Sequence, residues 1–377
     1  MKKFKNLFTV LLALIVATEV QAIKITHGPY LCDMTSDGVT IVWTTDKPGV
    51  AWAEYAPDTP ESFYAEARPK VFESVAGRKL ATETVHRVRL KGLKSGASYR
   101  YRVCTQEVAY NSKTRTTTHG AVASTSTWTK NRFKFKTFDE KKKKLSFLIF
   151  NDVHGRASFM RETSKAVNFD SLDFVLMNGD MSNHVSDEAM IFKGYMDTAV
   201  SMFATRIPIV YARGNHEARG TFANDLIKYF PTRSGNFYYM FSIGDVCFTV
   251  LDCGEDKPDS DVEYYGLADY DAYREEQAEW LSKNVASDEF KNASTRIVFL
   301  HIPPTVEDWH GNNHLRKTLM PILNRAGVNM MFCGHTHEYS YHPANSESAF
   351  PIMINGNDAC VLVTVANGKI DFSVKKP

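Results

Sequence analysis

The sequence predicts a chain of two parts, an all-β sandwich followed by an α/β domain whose mixed sheets are flanked by helices. Three observations predict it. From residue 23 to about 138, short runs rich in β-branched and aromatic residues are separated by turn signals, and several alternate apolar with polar. From residue 145 onward, apolar strand-like runs alternate with segments of helical period. The 377 residues are 44% hydrophobic and 23% charged, an ordinary globular composition with room for two domains.

The first 22 residues read as an export signal. Lys2, Lys3 and Lys5 make a basic start, residues 7–17 are apolar but short for a bilayer, and Val20, Gln21 and Ala22 suit a small-residue cleavage site. The mature chain is therefore expected to be exported, periplasmic or secreted. No cysteine near residue 22 and no later run of spanning length suggests a membrane anchor. The formal net charge is +2, and setting aside residues 1–22 leaves 42 basic and 42 acidic residues. A neutral chain argues against nucleic acid as a bulk ligand, which needs a clustered basic excess.

In the β region, 39–43 (VTIVW), 51–55 (AWAEY), 86–90 (HRVRL) and 99–103 (YRYRV) read as strands, with turns at Ser36, Asp37, Gly38 and at Lys94, Ser95, Gly96. The segment from Leu93 to Tyr99 resembles the tyrosine corner of fibronectin III/Ig-like sandwiches. Residues 111–131, rich in Thr and Ser without apolar period, read as a long exposed loop. None of the six cysteines is spaced as CxxC; Cys32 and Cys104, in the same β region, are candidates for a disulfide, and the other four read as buried thiols.

Lysines 141–144 read as a solvated linker between the domains, placed at 23–138 and 139–377. Beyond it, 145–150, 173–177, 207–211, 296–300 and 328–332 are buried-strand runs, and 238–253 is a hairpin turning at Gly244 and Asp245. Phe192, Tyr195, Ala199 and Met202 share a helical face, Ala278, Leu281 and Val285 mark a second helix, and 351–374 reads as three short strands.

The chemistry follows the strands. After the first run come Asp152 and His154; after the second, Gly179 and Asp180; after the third, Gly214, Asn215, His216 and Glu217. A later run ends in His301, and the next in Gly334, His335, Thr336 and His337. Singly, each is a helix cap, a turn or an ordinary polar residue. Together they deliver metal-competent side chains to one edge of one sheet, where open α/β sheets bind ligands. Oxygen and imidazole donors without thiolate suit Zn, Mn or Fe. They exceed the need of one tetrahedral ion, whereas two ions ~3.5–4 Å apart can share a carboxylate, hold a hydroxide and clamp both oxygens of a displacement at phosphorus.

In this order, Asp-x-His, Gly-Asp, Gly-Asn-His-Glu, a single His and Gly-His-x-His over residues 145–341 resemble the calcineurin-like metallophosphoesterase superfamily. The β region, with Gly28, Pro29, Tyr30 and Val42, Trp43, Thr44, resembles the N-terminal domain of purple acid phosphatases. The resemblance implies two divalent ions. Asp152, His154 and His337 would hold the first, Asp180 would bridge, and Asn215, His301 and His335 would hold the second. His216 would be catalytic, contacting the phosphate and stabilising or protonating the leaving group. Glu217 reads as a hydrogen-bonding support, and Asp252 as a partner for a nearby histidine. His184, residues 256–265, and the loop carrying Trp309, His310 and His314 are candidates to bind a small phosphorylated substrate, with Tyr339 and His342 as further lining.

Two departures stand out. Purple acid phosphatases carry Asp-x-Gly and Gly-Asp-x-x-Tyr, and here those positions are His154 and Asn183. The expected activity is therefore that of an exported metallophosphoesterase, phosphomonoesterase first, with a phosphodiesterase or nucleotide hydrolase as the alternative. A non-catalytic cell-surface binding protein would be expected to have damaged ligand motifs, and all seven positions are intact.

Overall fold

The computed structural model describes residues 21–128 and 133–377. The export signal lies almost wholly outside the described residues. Among the described residues no helix is long and apolar enough to cross a membrane.

The C-terminal half is four layers deep. Its first sheet is built on the parallel strands Lys144–Phe150, Phe174–Asn178 and Ile209–Ala212, flanked on one side by the antiparallel tail strands Cys360–Ala366 and Lys369–Lys375. The second sheet runs Tyr239–Ile243, Val246–Val250, Thr295–Phe299, Met330–Cys333, Ile352–Ile354 and Ser340–His342, parallel at its centre and antiparallel at both edges. The strands read as unbroken apolar runs because they are buried on both faces. Phenylalanines fill the space between the sheets: Phe147 stacks on Phe174 at 4.7 Å and meets Phe248, Phe299 and Phe332 edge-on at 5.7, 5.6 and 6.1 Å. A helical run over 188–204, with two π-turn segments, buries Phe192, Tyr195, Ala199 and Phe203 against the outer face of the first sheet. Helices Tyr270–Asn284 and His310–Thr318 cover the second sheet with Leu281 and Leu315.

The N-terminal half is a pair of facing β layers. One holds Ile25–Cys32, Gly38–Thr45 and Val85–Lys91; the other holds Lys70–Phe72, Gly49–Pro57, Ser98–Asn111 and Lys134–Lys136. Trp43, Val88, Tyr101 and Val103 belong to the core they share. The tyrosine corner forms as the sequence predicts, the Lys94 backbone N–H donating to the Tyr99 hydroxyl at 2.9 Å.

Three expectations need correction. Residues 111–131 are not a loop throughout: Thr116–Ser124 pairs antiparallel with Ser98–Asn111. Nearly every residue of that strand is exposed, so no apolar alternation announces it, and its threonines carry the strand preference. Lysines 141–144 are no free linker, since Lys144 opens a central strand and Lys142 and Lys143 pair with Asp173 and Asp245. Cys32 and Cys104 are free, as are the other four. Cys32 sits among the residues under the helical layer while Cys104 belongs to the opposite β layer, so a shared β region does not bring them together.

The two halves also share one sheet. Ile25–Cys32 pairs in parallel with Ile209–Ala212, making eight continuous strands. Buried hydrogen bonds cross the junction, Tyr30 to the Tyr229 carbonyl and Tyr101 to the Thr205 carbonyl, each 2.9 Å. A chain of residues 139–377 alone would expose this strand edge and apolar face. It is expected to aggregate or to melt well below the full chain in a circular dichroism scan; an equal melting temperature would show that the shared sheet contributes no stability.

Candidate metal centre

Five loops converge at the C-terminal ends of the parallel strands. Those after Lys144–Phe150, Phe174–Asn178 and Ile209–Ala212 carry Asp152, His154, Asp180, Asn215 and His216; those after Thr295–Phe299 and Met330–Cys333 carry His301, His335 and His337. The edge therefore belongs to two stacked sheets, not to one as the motif order suggests, because an apolar run reads the same whichever sheet it joins. The loops are zipped by backbone bonds: Asp152 N–H to the Gly179 carbonyl (3.0 Å), His154 N–H to the Asp180 carbonyl (2.9 Å) and Gly334 N–H to the His301 carbonyl (2.9 Å). Two glycines permit the closeness. A Cβ on Gly179, at φ +83, would lie 2.5 Å from the His301 ring, and one on Gly214 would lie 2.2 Å from Asp180 Oδ1.

Three donor groups result: Asp152, His154 and His337; Asp180, His301 and His335; and His154, Asp180 and His216. Within each, the candidate ligand atoms lie within 4.8 Å of one another. Asp152 Oδ1 is 3.3 Å from His337 Nε2, which is 3.0 Å from His154 Nε2. Asp180 Oδ2 is 3.1 Å from His301 Nε2, and Asn215 Oδ1 is 3.2 Å from His335 Nδ1. All seven predicted ligands are thus brought together, with Asp180 common to two groups.

Several of these atoms suit a cation better than any protein partner. Asp152 Oδ1 and His301 Nε2 are buried without a hydrogen bond among the described residues. His301 Nδ1 lies 2.7 Å from the Asn178 carbonyl, to which it donates, so its neutral form turns the Nε2 lone pair to the cluster. Burial lowers the His301 pKa, yet Asp180 and Asp152 overcome it and raise it to about 10. Burial pushes both carboxyls up, and the surrounding histidines nevertheless hold Asp152 and Asp180 below the usual carboxylate range. Two carboxylates and an imidazole are thus sealed from solvent side by side, Asp152, Asp180 and His301 each being at most 1% exposed. Backbone strain marks it too: Asp152, His154, Asp180, His335 and His337 all have φ between 49° and 74°, a region non-glycine residues rarely adopt.

The supporting shell is partly as expected. Glu217 is fully buried and accepts the backbone N–H groups of Asp180, Ser182 and Gly214 at 2.9, 2.9 and 3.0 Å, tying two ligand loops together. Burial and the nearby Asp180 carboxylate push its carboxyl up to about 7. Asp252 supports no histidine: it pairs with Arg213 at 2.8 Å and accepts from Tyr273 at 3.0 Å. Arg213 precedes the Gly-Asn-His-Glu turn, so the pair braces that loop from behind. Three further residues, in no recognisable motif, support the ligands: Arg156 donates to the Asp152 carbonyl, Asn178 accepts from the His301 ring through its backbone carbonyl, and Asn355 donates to Asn151.

The substrate-side candidates are dispersed. His184 is exposed, beside Asn183, whose carbonyl lies 2.8 Å from His216 Nδ1. His310 and His314 lie on one helix and face Asp271 at 2.9 and 3.3 Å, outside the donor groups. Residues 256–265 are anchored to the centre through Arg219, which meets Glu255, Asp256 and Glu263 at 2.7, 3.2 and 3.3 Å. Tyr339 is exposed, and His342 bonds to Ser340.

The sequence matches the family described as Calcineurin-like phosphoesterase over residues 145–339, and the Purple acid Phosphatase, N-terminal domain over residues 30–137. Among characterised proteins it is similar to serine/threonine-protein phosphatase CPPED1 of Mus musculus, 28% identical over 35% of this chain and 42% of that protein. It is also similar to Purple acid phosphatase 22 of Arabidopsis thaliana, 23% identical over 62% of this chain and 53% of that one. The chain thus spans about half the length of these relatives or less. Its fold is like that of purple acid phosphatase PPD1 from yellow lupin (Lupinus luteus), with TM-score 0.65 at 14% identity over 94% of this chain and 72% of the other.

Proposed function

The chain belongs to the calcineurin-like phosphoesterase family, and from that premise we propose that it is an exported hydrolase of phosphate esters that works with two divalent cations, Zn, Mn or Fe. The observation that carries this reading is the sharing of buried Asp180 between the group with His301 and His335 and the group with His154. Asp152, His154 and His337 would hold one ion, Asn215, His301 and His335 the other, and Asp180 both. Bound there, the ions would supply Lewis acidity and a water of lowered pKa. The protein's own part is to fix the donors, exclude water from Asp152, Asp180 and His301, and present His216 at the mouth. The Nδ1–H of His216 donates to the Asn183 carbonyl, which leaves Nε2 to face the substrate, 3.8 Å from Asp180 Oδ2.

Phosphomonoesters are the favoured substrates, on the strength of the purple acid phosphatase-type N-terminal domain and of relatives named as phosphatases. The decisive experiment is elemental analysis of the purified full chain with turnover of p-nitrophenyl phosphate and its bis ester. Two ions per chain and faster monoester cleavage are expected; a metal-free, inactive chain would refute the reading. Asn183 stands where purple enzymes carry a tyrosine, and an amide gives no phenolate-to-iron charge transfer. The iron-loaded, oxidised protein is therefore expected to lack a visible band, and a band abolished by a Tyr→Phe change would contradict this. Export rests on the sequence of residues 1–22; a chain beginning at residue 23 in the exported fraction, by mass spectrometry, is the expected outcome.

A further inference from the structure

We propose that Glu307 is a positioning residue that fixes the tautomer and ring orientation of His335, so that His335 offers Nδ1 to the second cation. This deepens the two-cation reading and rests on it. His335 Nδ1 lies 3.2 Å from Asn215 Oδ1, on the side of the donor group. The opposite corner of the ring, Nε2, lies 3.4 Å from Glu307 Oε2. That oxygen is buried and has no hydrogen-bond partner among the described residues, so it is a carboxylate oxygen withdrawn from water and directed at one imidazole nitrogen.

The loop that carries Glu307 is held by side chains of the following helix. Arg316 donates to the carbonyls of Glu307 (3.0 Å) and Pro304 (2.9 Å), and Asn312 donates to that of Pro303 (2.7 Å). Among the described residues Asp256, itself paired with Arg219, also faces Glu307, and burial together with Asp256 raises the Glu307 carboxyl's pKa. A neutral imidazole carries a single N–H. If Nδ1 is to give its lone pair to a cation, the proton must sit on Nε2, and a carboxylate opposite Nε2 secures that state and makes the ring a better donor. Separately, burial and the neighbouring His301 hold the His335 pKa down to about 4, in keeping with a neutral ring.

The test compares the full-length wild type with Glu307→Ala and Glu307→Gln, whose amide oxygen can still accept the Nε2 proton. Zn²⁺ would be titrated calorimetrically into metal-depleted protein, and the tautomer of His335 read by ¹⁵N-histidine NMR. Two binding steps are expected for the wild type. Glu307→Ala should weaken one step ~10–100-fold and leave the other unchanged, and Glu307→Gln should recover most of the loss. The wild type and Glu307→Gln should show the Nε2–H tautomer, and Glu307→Ala a mixture. Two wild-type steps with unchanged affinities in Glu307→Ala, or a wild-type proton on Nδ1, would overturn the assignment of Glu307 alone. A wild type that takes up no cation would overturn the two-cation reading and this inference with it.

Discussion

Replacing Asp180 with asparagine is expected to abolish turnover and to release at least one of two cations. Asp180 is the member common to the group with His301 and His335 and the group with His154 and His216, so its loss strikes both halves of the centre. Asparagine is the informative choice because Asp180 sits at φ 53, a conformation that asparagine tolerates better than alanine. Asparagine also keeps an oxygen in the place of Asp180 Oδ1, which accepts the His216 backbone N–H at 3.1 Å, so the fold of the two loops should persist. The rate should fall at or beyond the ~10³-fold that one lost electrostatic contact can cost in an active site. Elemental analysis and steady-state rates check it together. A variant with full metal content and wild-type turnover would show that Asp180 bridges nothing.

What the sequence revealed of this centre, it revealed because each ligand directly follows an apolar strand and several follow a glycine. Gly179 and Gly214 are there for contact distance. Glu217 was legible for the same reason, lying inside a ligand turn, where it accepts the Gly214 N–H as well as that of Asp180 from the neighbouring loop. The partners that aim the histidines were not. Asn178 acts through its backbone carbonyl, which any residue carries, and Glu307 lies in a loop whose approach to His335 depends on how two sheets stack. Asp252 was assigned to the wrong partner because sequence shows that a carboxylate follows a strand, not that Arg213 comes to meet it.

The fold divides along the same line. Elements with a buried face announced themselves, including the tyrosine corner at Tyr99 and the hairpin around Gly244. The strand Thr116–Ser124 has no buried face to announce, and the pairing of Ile25–Cys32 with Ile209–Ala212 joins segments far apart in the chain that carry no signal for each other. Local pattern specifies the elements, while the pairing of distant ones depends on surfaces that only the assembled core presents.

Replacing His216 with alanine is expected to keep both cations and to slow turnover ~10²–10⁴-fold, the range for losing a proton donor or a transition-state contact. His216 is held for such a role. Its Nδ1–H is committed to the Asn183 carbonyl at 2.8 Å, and its ring is partly exposed while the carboxylates behind it are sealed. Burial lowers its pKa despite the nearby Asp180 carboxylate, so fewer rings carry the second proton, but each one that does is a stronger acid toward a leaving group. The geometry also allows a rival role, because His216 lies within ligand reach of His154 and Asp180. The two roles part on metal content. As a proton donor, His216 can be removed with two ions still bound, and the rate deficit should shrink for esters of acidic alcohols such as p-nitrophenol, which leave without protonation. As a ligand, its removal would cost an ion and slow every ester alike. Elemental analysis of His216→Ala, with rates for p-nitrophenyl phosphate and an alkyl phosphate side by side, distinguishes them. Loss of one ion would move His216 into the ligand set.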